Sequence, residues 1–160
     1  MAWTSPKTWA ANDVLTAADL NTHVRDNLKA VTEWTSYSPT WTATGGTPTI
    51  GNGTLSGSYI LAGDLLVLRI ELVIGSTTSL GTTTVWRFSL PSGITGSGFN
   101  VTAGVAYDSS ANTTQMVGGF VTSGSANVGV NTQNGANVGY LLPFTWAQDD
   151  VLTIQGAIAC

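Results

Sequence analysis

Between residues 65 and 74 apolar side chains fall on alternate positions: Leu66, Leu68, Ile70, Leu72 and Ile74 share one face, and Val67, Arg69, Glu71 and Val73 the other. A period of two predicts a strand, and here its even face is the core face. Residues 84–90 repeat the pattern, with Trp86, Phe88 and Leu90 inward and Val85, Arg87 and Ser89 outward. Comparable runs lie at 54–61, 99–107, 115–122, 126–131, 138–145 and 151–158, separated by turn signals such as Asn52-Gly53. Roughly eight strands with turns about every 8–12 residues predict a mainly β chain, an antiparallel β-sandwich of jelly-roll type.

The first part of the chain follows a different period. Leu20, Val24, Leu28 and Val31 recur at steps of four, four and three, which is one stripe of a helix. Thr16 is placed to cap it, with Asp19 three residues on, and Arg25 and Lys29 lie towards the carboxyl end, where cations suit the helix dipole. The expected helix covers residues 17–33. Before it, Trp3 and Trp9 flank Pro6 in an extended arm. The chain is thus expected to divide into an N-terminal anchor arm and helix, 1–35, and a β-sandwich domain, 36–160. A helix with one apolar edge needs a partner, because nucleation is costly and most helical stability comes from packing. Trp3, Trp9, Leu20, Val24, Leu28, Val31 and Trp34 are therefore the candidate anchor and interface residues. They either fold back on the chain's own core or insert into another protein.

Composition sharpens this picture. Charged residues make up 9% of the 160, against about 25% in an ordinary soluble domain. With five Lys and Arg in all and a net charge of −4, no cationic footprint exists for a nucleic-acid backbone. No apolar run approaches the roughly 20 residues that span a bilayer, and residues 1–12 lack an apolar block resembling a secretion signal, so neither membrane insertion nor export is expected. Cys160 is the sole cysteine, which excludes an intrachain disulfide and a thiolate metal cluster. Hydrophobic residues at 42% and six tryptophans supply the burial that disordered chains lack. Scarce charge, together with outward-facing Val67, Val73 and Val85, points to a second buried surface and to a homo-oligomer, with a cyclic trimer favoured.

Candidate chemistry is sparse. His23 stands without acidic or thiol companions at ligand spacing and is expected to be an exposed or capping side chain. Asp149 and Asp150 are adjacent, so on a strand they would face opposite ways; they read as turn residues, as do Asp64 and Asp108. Gly93, Gly96 and Gly98 have the wrong spacing for a phosphate cradle. The Asn52, Asn100 and Asn112 tripeptides match the glycosylation pattern at a rate chance explains in so Thr- and Asn-rich a chain. No enzyme, metal or cofactor is expected. Trp34, Tyr37 and Trp41 are expected to pack the junction between helix and β domain, whereas Tyr107 and Tyr140, near loops, are the candidate ligand-contacting aromatics for a sugar.

The stretch TWAANDVLTAADLNTHVRDNLKAV, residues 8–31, resembles the opening segment of small virion and tail-associated proteins of tailed bacteriophages and prophages of actinobacteria. Residues 37–91, from YSPTWTATGG to WRFSLP, are similar to β domains of phage fibre, minor tail and head-decoration proteins. The resemblance implies a non-enzymatic virion component whose N-terminal anchor docks on capsid or tail proteins and whose β module is displayed outward, usually as a trimer. The alternative it leaves open is a receptor-binding tail fibre or tail tip domain that meets a host cell-surface glycan. No receptor residues carry over from it.

Overall fold

The computed structural model describes residues 4–82 and 84–160. Among them a helical run is followed by nine strands: β1 (Thr35–Tyr37), β2 (Trp41–Thr44), β3 (Thr54–Ala62), β4 (Leu65–Val73), β5 (Val85–Ser89), β6 (Asn100–Asp108), β7 (Thr113–Val121), β8 (Asn127–Thr132) and β9 (Val151–Ala159). All pair antiparallel in one sheet of order β1-β3-β4-β9-β6-β7-β8-β5-β2. The fold is mainly β with an N-terminal arm and helix, and the expected two-layer packing takes the form of a single sheet curled on itself.

The two edges of that sheet are consecutive in sequence. β1 pairs with β3, and after residues 38–40 the same extended stretch continues as β2, which pairs with β5. Ser89 donates its backbone N–H to Thr40 O at 3.0 Å, Thr40 N–H reaches Ser89 Oγ at 2.9 Å, and the Tyr37 hydroxyl donates to Ser89 O at 3.2 Å. One broken strand thus serves both edges, which shortens the exposed ladder that open sheets must defend. Tyr37 can lie across this junction only because residue 57 is Gly, where a Cβ would come within 2.3 Å of Tyr37 Cε1.

Alternate residues of every strand point into the enclosed space. Leu66, Leu68, Ile70, Leu72 and Ile74 are buried as their alternation predicts, as are Trp86, Phe88 and Leu90. Trp41 meets Trp86 edge-on at 4.7 Å and stacks on Phe88 at 6.3 Å, while Trp146 packs on Trp86 at 5.0 Å. So much aromatic volume on one side leaves less on the other, where β6 presents small residues, Thr102, Gly104 and Ala106, with Gly119 of β7 and Gly156 of β9 close to Thr102. A Cβ at Gly119 would lie 2.2 Å from Thr102 Oγ1. The close packing of large against small side chains sets the cross-section of the core.

Two expectations are corrected. Residues 138–145 form no strand but a looped segment held by the Gly139–Leu142 bridge and by Trp146 Nε1–H donating to Gly139 O at 3.0 Å. Pro143 lacks a ladder donor, which suits a turn better than a central strand. The short β1 and β2 were not foreshadowed by alternation, since three and four residues rich in hydroxyls carry no readable period.

Candidate functional site

The N-terminal segment builds the most distinctive surface. Its helix begins as α1 (Ala17–Leu20), widens into a π turn (Asn21–Arg25) in which Asp26 N–H reaches Asn21 O, and ends as α2 (Asp26–Thr32). Thr16 Oγ1 accepts from Asp19 N–H at 3.1 Å and the Asp19 carboxylate accepts from Thr16 N–H at 3.3 Å, a complete capping box. The Thr16 hydroxyl and the Lys7 ammonium hold the Asp19 carboxyl below the usual carboxylate range. α2 holds the two buried residues of the helix, Asn27 and Ala30, and is fixed to the barrel through β3, whereas α1 and the π turn approach none of the strands. The front half of the helix therefore projects.

The arm folds back along the helix. Asn27 Oδ1 accepts from Thr4 N–H at 2.9 Å, and its Nδ2 donates to Thr4 O at 2.8 Å and to His23 O at 3.2 Å. His23 Nδ1 lies 3.1 Å from Ser5 O, an acceptor, so this ring nitrogen carries the proton. Lys7 bridges to Asp19 at 3.1 Å and sits 4.3 Å over the Trp9 ring. Asn27 carries the arm's attachment, and no sequence pattern marked it: a lone Asn inside a helix reads as a surface residue until its partners are known.

With Asn27 turned to the arm and Ala30 buried, the apolar stripe is left facing solvent. Leu20, Val24 and Leu28 are 45%, 54% and 63% exposed, and Val14, Leu15, Trp9 and Trp34 are exposed beside them, while Val31 is half-buried. Trp3 lies outside the described residues. A stripe at steps of four drifts sideways on a 3.6-residue helix, and the wider π turn between Leu20 and Leu28 offsets that drift. The result is one straight apolar row.

Tyr107 is the penultimate residue of β6, and Tyr140 lies in the looped segment after β8. The half-buried Tyr107 hydroxyl donates to Asn112 Oδ1 at 3.1 Å in the β6–β7 turn. Tyr140 lines a shallow cavity of about 450 Å³ with Thr84, Asn137, Leu141 and Leu142. Of the three rings expected to pack the junction between helix and β domain, Tyr37 and Trp41 pack instead on the core of the sheet, and Trp34 is 52% exposed. Asp150 is a buried brace, its carboxylate accepting from Ser109 N–H at 2.8 Å and Ala147 N–H at 2.6 Å, while Asp149 sits at a turn with φ 69°. Asp108 folds over its own loop, held below the carboxylate range by Ala111 N–H and Ser110. Among the described residues no group of three His, Cys, Asp or Glu is placed to hold a metal, and no helix is long and apolar enough to cross a membrane.

A second apolar surface lies on the outer side of β6 and β7. Registered against an interior of Thr102, Gly104 and Ala106, the outward positions of β6 are Val101, Ala103 and Val105, with Phe99 just before them and Met116 and Phe120 opposite on β7. The strand is inside-out: its bulky apolar residues face solvent. Phe99, Val101 and Met116 are 70%, 68% and 55% exposed. Phe99 stacks on Phe120 at 6.4 Å, and Phe120 covers Gly129, where a Cβ would meet its ring at 2.4 Å. These residues wall a groove of about 420 Å³ floored by Gly118 and Gly119 and rimmed by Asn131, Thr132 and Gln133. The alternation of 99–107 marks a buried face, but only the register shows that the barrel does not bury it.

No known protein family matches this chain, and no curated protein does. Among solved structures it is similar to the fibre head protein of bovine atadenovirus type 4, at 9% identity and a TM-score of 0.35, over 78% of this chain and 99% of that one.

Proposed function

We propose that the chain is a non-enzymatic virion structural protein of a tailed phage or prophage: residues 1–35 attach it to the particle, and the β domain of residues 36–160 is displayed outward as a decoration or fibre module. The observation that carries the reading is the outward-turned face of the N-terminal segment. Its polar side, Asn27 with Thr4 and His23, is spent on holding arm and helix together, and its apolar side is left to solvent. Exposed apolar stripes of this kind mark attachment surfaces. The buried Asp150 carboxylate serves loop structure, and Glu71, which lines a cleft, is engaged by Arg69 at 2.8 Å, which favours assembly over catalysis.

The test is occupancy of the purified particle by full-length variants of the arm. Trp9→Ala and Leu15→Asp should lower occupancy at least about tenfold, the loss of about 1.4 kcal/mol of contact. Undiminished occupancy in both would overturn the anchor.

A further inference from the structure

The inverted strand β6 needs a cover, and the molecule carries a matching surface on its other flank. We propose that Leu20, Val24 and Leu28 of one copy seat in the groove walled by Phe99, Val101, Met116 and Phe120 of a second copy, so that the chain assembles head to tail. The inference deepens the reading of residues 1–35 as an attachment element: the helical row serves the contact between copies and leaves Trp9, Val14 and Leu15 for the particle.

Four observations point to this occupant. The row and the groove agree in length: the eight residue steps from Leu20 to Leu28 rise about 12 Å, and Met116 to Phe120 on β7, which line the groove, span about 13 Å. A groove floored by glycine accepts protruding side chains, and the row supplies three in line. Charge also agrees, since the groove-lining residues are uncharged and the charges of the helical run are paired, Asp19 with Lys7, Arg25 with Asp26, and Lys29 with Glu33. Finally, a chain's own helix does not fill its own groove, because among the described residues the helix approaches β3 alone, and β4 and β9 stand between β3 and β6. The projecting front half of the helix is free to reach a neighbour.

Such a contact joins two different surfaces, so every copy offers one of each and assembly continues until a ring closes or a filament grows. That asymmetry gives the test. Sedimentation velocity of the full-length chain alone, without particles, compares wild type, Val24→Glu, Met116→Glu and an equimolar mixture of the two variants, each checked for an unchanged tryptophan spectrum. Wild type should form species beyond the monomer, and each variant alone should be monomeric. The mixture should form dimers and stop there, because the intact groove of Val24→Glu accepts the intact helix of Met116→Glu. Leu28→Glu and Val101→Glu replace either variant that fails to fold. Monomeric wild type overturns the inference, as does an oligomer that survives Val24→Glu, which would mean that the β6–β7 face meets its own kind. A mixture that stays monomeric overturns it too. None of these outcomes bears on particle occupancy by the arm variants, so the two readings fail separately.

Discussion

Asn27 and Thr4 face each other like a pair of strand residues, although one is a side chain: the carboxamide accepts from Thr4 N–H at 2.9 Å and donates to Thr4 O at 2.8 Å. The arm therefore gains a one-rung ladder from a helix. Two hydrogen bonds of net worth about 1 kcal/mol each hold it there. Asn27→Ala should release the arm without unfolding the barrel. Hydrogen exchange should show at least about tenfold faster exchange at the Thr4 amide, with the barrel's melting temperature nearly unchanged.

Closure of the sheet depends on a glycine under a ring. Gly57→Ala should cost about 1–3 kcal/mol, the range for overpacking, because the new methyl meets Tyr37 and Pro39. Combining it with Tyr37→Leu should recover part of that loss in urea unfolding, since the smaller side chain vacates the position.

Burial pushes the Tyr37 phenol well above its ordinary value. The folded state therefore keeps the proton while the unfolded chain loses it above about pH 10. The contribution is intact below that pH and is lost as pH climbs towards the folded-state value. Unfolding measured from pH 8 upwards should show stability falling beyond about pH 10, and Tyr37→Phe should flatten part of that fall while losing the hydrogen bond to Ser89 O.

Asp150 is predicted to matter for stability and not for chemistry. Asp150→Ala strands Ser109 N–H and Ala147 N–H and should cost about 3 kcal/mol in thermal unfolding, the sum for two hydrogen bonds to a charged group at the low end of their range.

Thr102 is the reverse case. Its hydroxyl is buried without a hydrogen-bond partner between Gly119 and Gly156. Thr102→Val keeps the shape and removes the unsatisfied oxygen, so stability should rise by about 1 kcal/mol, or roughly 2–4 °C in melting temperature.

These positions show how unevenly the sequence discloses the fold. β4 was legible to within one residue, 65–74 expected and Leu65–Val73 found, because five consecutive even positions are large and apolar. The helix was legible as an element, although its π turn was not, since a wider turn leaves the spacing of four intact. β6 was legible as a strand and illegible in orientation: alternation says that one face is buried but not by what, and only the register with β7 and β9 puts Thr102, Gly104 and Ala106 inside. The closing strand was hidden because its two halves pair with partners far apart in the chain. The candidate row of Leu20, Val24 and Leu28 could be named from its period, whereas its exposure depends on the arm taking up Asn27 and on Ala30 being buried.

The account turns on that row being covered in the assembled state. A density map of the intact particle carrying the chain reads this directly. It should show Leu20, Val24 and Leu28 enclosed by another polypeptide with the barrel outermost; a map in which residues 17–33 stand in solvent while the barrel itself grips the particle would contradict it.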